Sequence, residues 1–309
     1  MAKLLIIGTG AMAQLFGSRL AAAGIQVTLL GTWKHGIAAI EQNGIRVLGP
    51  EGEISFPAAA AGGVEEIQKA RAVLILVKSW QTARAAEQLT HILHPDGIGL
   101  TLQNGLGNLE ILSSVLGKER VVQGVTTYGS TLLGPGLIRP GGEGQVNVPR
   151  NPRLVLINNL LKQAGFSLQE SPDITGLIWS KLVINVAINP LTALMGVKNG
   201  KMLESESARS IMKQAANEAA QVARRKGIKL SFKDPVQAVE SVARTTSDNF
   251  SSMLQDIRRG APTEIDFLCG AVSRLGKSLN IPVPVNHLLW QLIKARADYF
   301  GNEDYENSN

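Results

Sequence analysis

The sequence predicts an α/β N-terminal domain built on a mostly parallel sheet, followed by an all-α C-terminal domain. Three observations carry this expectation. Short apolar runs alternate with helical patterns through the first half. The chain opens on a strand that runs into a glycine-rich turn and then a helix. Beyond residue 170 the strand signals vanish and apolar residues recur at helical spacing. With 309 residues the chain is too long for one ordinary core, so two domains are expected, 1–170 and 171–309.

Taken in order, Lys3–Ile7, Gln26–Leu30, 73–77, 98–102 and 121–126 are the expected strands of the first domain. Residues 45–48 and 54–56 flank Gly49-Pro50-Glu51-Gly52, a turn signal that predicts a small hairpin. A second segment rich in Gly and Pro, 129–149, predicts another hairpin at the sheet edge. The second domain is expected to hold helices over 173–194, 206–226, 235–244 and 265–279. No internal repeat is visible, and the polar, acidic tail 301–309 is expected to fray.

Composition bounds the function. An apolar fraction of 44% and a charged fraction of 18% describe a soluble globular chain. Cys269 stands alone, which rules out an intrachain disulfide and points to a reducing, cytoplasmic compartment with a buried structural thiol. Lys3, the apolar run after it and Ala21-Ala22-Ala23 imitate a leader peptide, but Gly8, Gly10 and Gln14 interrupt the run. No other apolar stretch is expected to span a bilayer, so no membrane is expected as a partner. The net charge of +6 admits anionic partners. Its densest run, Arg224-Arg225-Lys226, precedes Gly227 at a helix end, where cations suit the dipole, and no aromatic residues interleave it. No nucleic acid is expected.

The chemistry begins in LLIIGTGAMAQLFGSRLAAAG, residues 4–24. Gly8 permits a tight turn, Gly10 lets a pyrophosphate approach the backbone, and Ala13 is small enough for close helix packing. Thr9, Ala11 and Met12 complete the loop, and the helix that follows offers free N–H groups to phosphate oxygens. In this strand-turn-helix setting the pattern predicts a Rossmann-type dinucleotide site. The second strand ends in Leu30-Gly31-Thr32-Trp33-Lys34-His35, without the carboxylate that grips the ribose of NAD. Thr32 and Lys34 could instead receive a ribose 2′-phosphate, which favours NADP (NADPH); a solvated loop lysine is the alternative for Lys34. Lys78 and Gln103-Asn104-Gly105 follow two further strands, where open α/β sheets place their ligands.

In the second half, Lys181, Asn185 and Asn189 are spaced four apart and share one helical face beside Leu182, Ile184, Val186 and Ile188. A wet seam is one explanation, but an exposed face usually carries Glu, Lys or Arg rather than asparagine. An ammonium followed by amides suits a small oxygen-rich anion, and Lys181 can donate a proton to a developing alkoxide. Downstream, Asn249 and Ser252 are three apart and would be neighbours on a helix. Local pattern assigns Thr263 as a helix cap, Asp266 to a variant capping box and Glu264 to the helix dipole. His91 and His94 lack a third ligand nearby, so no metal is expected.

Together these residues resemble the ketopantoate reductase (2-dehydropantoate 2-reductase) family over essentially the whole chain. The matching blocks are Gly8–Met12, Lys78, Gln103-Asn104-Gly105, 179–185, 189–193, Asn199-Gly200, 251–256 and 263–266. The resemblance implies reduction of the ketone of 2-dehydropantoate to pantoate by NADPH, a step towards pantothenate and coenzyme A. It implies Lys181 as the general acid, with Asn185, Asn189, Asn199 and Ser252 holding the substrate; Asn249, three residues before Ser252, is expected to join them. Glu264 would orient ligand or cofactor hydroxyls, and Lys78 and Asn104 would line the nicotinamide side. Two departures stand out: Thr32 sits where many members carry arginine for the 2′-phosphate, and Ser130 where relatives often have alanine near the cofactor. The expected partners are a small anionic 2-oxo acid and a second copy of the chain in a homodimer. Rival readings are a reductase of another 2-oxo or 3-oxo acid, and a nucleotide-sensing protein without turnover.

Overall fold

A computed structural model describes residues 3–300; the tail expected to fray falls outside them. The chain forms two compact units, one holding the residues up to 103 together with 108–174, the other holding 104–107 together with the chain from 175.

The first unit begins β1 (Lys3–Ile7), α1 (Ala11–Ala22), β2 (Gln26–Leu30), α2 (Lys34–Asn43), β3 (Ile45–Gly49), β4 (Gly52–Phe56) and β5 (Ala59–Ala61). It continues β6 (Ala70–Ile75), α3 (Thr82–Ile92), β7 (Leu93–Thr101), α4 (Asn108–Leu116) and β8 (Val121–Gln123). It ends β9 (Val125–Thr126), β10 (Ser130–Gly134), β11 (Leu137–Pro140), β12 (Val146–Pro149), α5 (Val155–Gln163) and β13 (Leu168–Ser171). Its main sheet is six-stranded and parallel throughout, in the order β5-β2-β1-β6-β7-β8.

Both faces of that sheet are covered, and β1 shows how. Leu4 and Ile6 enter a core shared with Phe16 and Leu20 of α1 and Ile157 and Leu161 of α5. Leu5 and Ile7 enter the opposite core with Ala85 and Leu89 of α3 and Leu112 of α4. The period of two along a strand thus divides one continuous apolar run between two layers of helices.

One expected strand comes out differently. The run 121–126 is cut at Gly124 into β8, which joins the main sheet, and β9, which pairs with β12 in a sheet completed by β13. A Cβ at Gly124 would lie 2.7 Å from the Asn147 carbonyl oxygen, so glycine is what lets the chain leave one sheet for the other. The expected hairpin β3-β4 forms, and β10-β11 joins it through β3 to make a four-stranded sheet.

Among the described residues the second unit is helical. It contains α6 (Ile174–Met195), α7 (Glu206–Arg225), α8 (Pro235–Thr245), α9 (Ser252–Arg258), α10 (Cys269–Ser278) and α11 (Pro284–Phe300). Short 3-10 turns lie at Asn199–Leu203 and Ile265–Phe267. At 22 residues α6 is long and apolar enough to cross a bilayer, against the expectation that no such stretch exists. Its Trp179, Val183, Val186 and Ala187 are instead buried in the core of this unit, which also holds Ala215, Ala216 and Ala219 of α7.

Candidate active site

The site residues fall into one group in each unit. In the first unit the chain steps from β1 outward through β2 to β5 and then crosses to β6 on the other side of β1, so the strand order reverses between β1 and β6. Open parallel sheets hold their ligands at such a reversal, beyond the carboxyl ends of the strands. Gly8 lies there with φ +128°, and a Cβ on it would come within 3.0 Å of the Leu76 carbonyl oxygen at the end of β6. Only glycine combines that torsion with that approach.

Thr9 is buried and packs over Gly31, where a Cβ would lie 2.5 Å from its hydroxyl. Gln14 donates to the Thr9 carbonyl at 2.9 Å and ties the turn to α1. Gly10 is exposed, caps α1 without a side-chain bond, and would meet nothing within 4 Å if it carried a Cβ. Ala11, Met12 and Ala13 form the first turn of α1, which contains no acidic residue. This bare helix start beside an open backbone fits the pyrophosphate of a dinucleotide.

Thr32 and Lys34 are exposed at the end of β2 and the start of α2, and the Trp33 ring between them lies over Gly36. Lys78 is half-buried just past β6. Its loop is braced by a buried polar network that the sequence did not announce. Thr82 donates to the Ser79 carbonyl and to Asn108 Oδ1, both at 2.8 Å. Gln103 donates to Thr82 Oγ1 at 2.8 Å and to the Val77 carbonyl at 3.0 Å, and accepts from Thr101. The signal lay in polar residues following apolar strands, which local reading assigns to solvent. Ser130 opens β10, in the four-stranded sheet, and its hydroxyl donates to the Arg139 carbonyl.

Asn104, read from sequence alongside Lys78, belongs instead to the second unit. There Lys181, Asn185 and Asn189 share one face of α6, the first two partly exposed and Asn189 buried. One turn on, Thr192 donates to Ser251 Oγ at 2.7 Å, and Ser251 caps α9 by accepting from Leu254 N. Ser252, the first residue of α9, is thereby anchored to the same helix as the stripe. Asn199 is buried beside this group: its amide nitrogen donates to Thr246 Oγ1 and its backbone N–H to the Asn249 carbonyl, both at 3.0 Å.

Three local expectations fail here. Asn249 and Ser252 do not share a helix, because Asn249 is exposed in the turn that precedes α9. Thr263 caps nothing: the 3-10 turn Ile265–Phe267 follows Glu264 without a side-chain cap, and Asp266 accepts a hydrogen bond from Trp290 rather than closing a capping box. The helix expected over 265–279 breaks at Leu268, and the Phe267 carbonyl accepts from Leu106 N of the 104–107 segment.

Glu264 is 6% exposed, and its charge bears on Lys181. Burial lowers the Lys181 pKa to about 8, and Glu264 pulls the other way. Such an ammonium gives up its proton near neutrality, which suits a general acid. His91 and His94 are apart in role: His91 is exposed at the end of α3, and His94 Nδ1 accepts from Asp96 N. Among the described residues no group of His, Cys, Asp and Glu is arranged to hold a metal ion.

Comparison with known proteins gives a consistent picture. Residues 4–153 match the family "Ketopantoate reductase PanE/ApbA", and residues 173–297 match "Ketopantoate reductase PanE/ApbA C terminal". The 2-dehydropantoate 2-reductase of Pyrococcus horikoshii is 32% identical, over 97% of this chain and 99% of its own. The solved PanE/ApbA family ketopantoate reductase of Ralstonia eutropha JMP134 superposes with a TM-score of 0.89 at 32% identity, covering 96% of this chain and 99% of that one. D-mandelate dehydrogenase with NADH and anilino(oxo)acetate gives the same TM-score of 0.89 and the same coverage, at 26% identity.

Proposed function

The chain belongs to the ketopantoate reductase family, and from that premise we propose that it reduces 2-dehydropantoate to pantoate with NADPH, using Lys181 as the general acid. The observation that carries the reading is the half-buried lysine on the asparagine stripe of α6, with burial and Glu264 acting on it in opposite senses.

A bound nicotinamide dinucleotide supplies the hydride. The turn Gly8–Ala13 fits its pyrophosphate, Thr32 and Lys34 receive the 2′-phosphate, and Lys78 and Ser130 contribute to the same binding. Asn104 lines the nicotinamide side, and Asn185, Asn189, Asn199, Asn249 and Ser252 hold the oxo acid through its hydroxyl and carboxylate oxygens. As the ketone oxygen takes on negative charge, the Lys181 ammonium stabilises it and then transfers a proton to it. Glu264 keeps that ammonium charged until it is needed and orients ligand hydroxyls. Product pantoate would serve pantothenate and coenzyme A synthesis in the cytoplasm.

A second reading has two observations in its favour. A dehydrogenase acting with NADH on an aromatic acid shares this fold as closely as a ketopantoate reductase does, and the Thr32-Trp33-Lys34 segment carries no arginine for the 2′-phosphate. That reading assigns an aryl 2-oxo acid and NADH. Nicotinamide oxidation at 340 nm with ketopantoate and with phenylglyoxylate, each against NADPH and NADH, decides between them. The expected result is turnover with ketopantoate and NADPH that falls by ~10³-fold or more in Lys181→Ala. Turnover at the parental rate in that variant rejects the acid role.

A further inference from the structure

Glu264, whose charge acts on Lys181, immediately precedes a turn of three residues with no side-chain cap, so the effect depends on what holds that turn in place. Two supports converge on it, neither made by a residue of the proposed chemistry. On one side, Trp290 of α11 donates from Nε1 to Asp266 Oδ1 at 2.7 Å, and Arg274 of α10 donates to the Asp266 carbonyl at 2.7 Å. The indole reaches Asp266 because position 270 is glycine: a Cβ there would lie 3.0 Å from Trp290 Nε1. On the other side, Leu106 N donates to the Phe267 carbonyl at 2.9 Å. Gly105, at φ +84°, permits this approach, since a Cβ on it would fall 2.4 Å from the same oxygen.

We propose that Trp290 and the 104–107 segment clamp the 264–267 turn between them and act as positioning residues, fixing the Glu264 carboxylate where its charge reaches Lys181. The inference rests on the catalytic reading of Lys181 given above. Two glycines whose side chains would collide with the clamp, and an indole N–H spent on a carboxylate two residues from Glu264, are more than a generic helix packing requires. Of the charged groups on elements around α6, Glu264 is the one whose charge bears on Lys181. Asp256 of α9 pairs with Arg259, Asp266 with Trp290, and Glu218 of α7 accepts from Asn286 at the start of α11. Loosening the clamp therefore weakens the upward pull of Glu264 and leaves burial to lower the lysine further.

The test uses the full chain labelled with [13C]lysine, with the Lys181 signal assigned by its loss in Lys181→Met. Its titration midpoint is followed by NMR beside the pH profile of kcat for ketopantoate and NADPH. Trp290→Phe and Asp266→Ala are each expected to move both the midpoint and the basic limb of the profile to lower pH, with a several-fold loss of kcat at pH 8. Asp266→Asn, which keeps an acceptor for the indole, is expected to recover most of that shift. If Trp290→Phe fails to fold, the Asp266→Ala and Asp266→Asn pair decides. An unmoved NMR midpoint in folded Trp290→Phe and Asp266→Ala overturns the clamp, whatever Lys181→Ala does to turnover. A parental rate in Lys181→Ala removes the catalytic reading, while the NMR midpoint still reports separately on the clamp.

Discussion

At the scale of single residues the tension sits in Lys181, an amine the fold has made unfavourable to protonate. Its pKa is lowered from 10.5 to about 8, chiefly by burial. Between about 8 and 10.5 the unfolded chain binds the proton that the folded chain has released, so stability rises with pH through that window. Below 8 the full penalty is present, on the order of 3 kcal/mol as an upper figure. Lys181→Met fills a similar volume without the charge and is expected to melt several degrees higher than the parent at pH 7, with the difference shrinking as pH approaches 10. Equal melting temperatures at pH 7 would show that the burial carries no such cost. The stripe that holds this lysine was legible because spacing by four is a property of sequence. The residues expected beside it were not: Glu264 lies next to a turn whose local pattern imitates a helix cap, and Asn249 lies three residues before α9 begins. Trp290 gave no signal at all, since its N–H partner is 24 positions away.

At the scale of elements, α6 carries Pro190 in its interior, just after Asn189. Proline lacks the N–H that would bond the carbonyl four residues earlier, that of Val186. The Cys269 thiol approaches that carbonyl at 3.8 Å, so the single cysteine of the chain serves the backbone of α6. Burial raises its pKa far above the ordinary thiol range, which keeps it protonated and able to donate. Cys269→Ala is expected to cost about 1–3 kcal/mol by leaving the carbonyl unsatisfied. Pro190→Ala restores a backbone donor, so the same cysteine change should cost about 1 kcal/mol less in that background. Urea unfolding of the four proteins in the cycle checks it, and strict additivity would mean that thiol and carbonyl are uncoupled. Sequence had assigned Cys269 a buried structural role but could not name the carbonyl. Elements were read well where one run makes one strand, as in β1 and β2. They were misread where tertiary contact overrides periodicity: Gly124 splits one run between two sheets, and the bond from Leu106 to Phe267 accompanies the break before α10. Ala59–Ala61 became a sheet edge without any apolar bulk to announce it.

At the scale of the whole molecule, the sequence order separates two tasks. The glycine-rich turn Gly8–Ala13 lies in a unit with its own pair of cores, on either face of the parallel sheet. Lys181 and its asparagines lie in a helical unit with a third core. That the second unit takes back residues 104–107 from the middle of the first half could not be read from a linear pattern, since it depends on packing against Phe267. If binding and proton transfer are divided in this way, a change in one unit should leave the other task measurable. A ligand that binds only the folded chain stabilises it by about 2.7 kcal/mol at a hundredfold excess over its Kd. NADPH is therefore expected to raise the melting temperature of the parent and of Lys181→Ala by similar amounts, although the latter has lost turnover. Gly8→Val places a branched side chain at φ +128° against the Leu76 carbonyl. It should lower basal stability and abolish the NADPH-dependent rise. The opposite pattern, with the rise lost in Lys181→Ala and kept in Gly8→Val, would assign the dinucleotide to the helical unit.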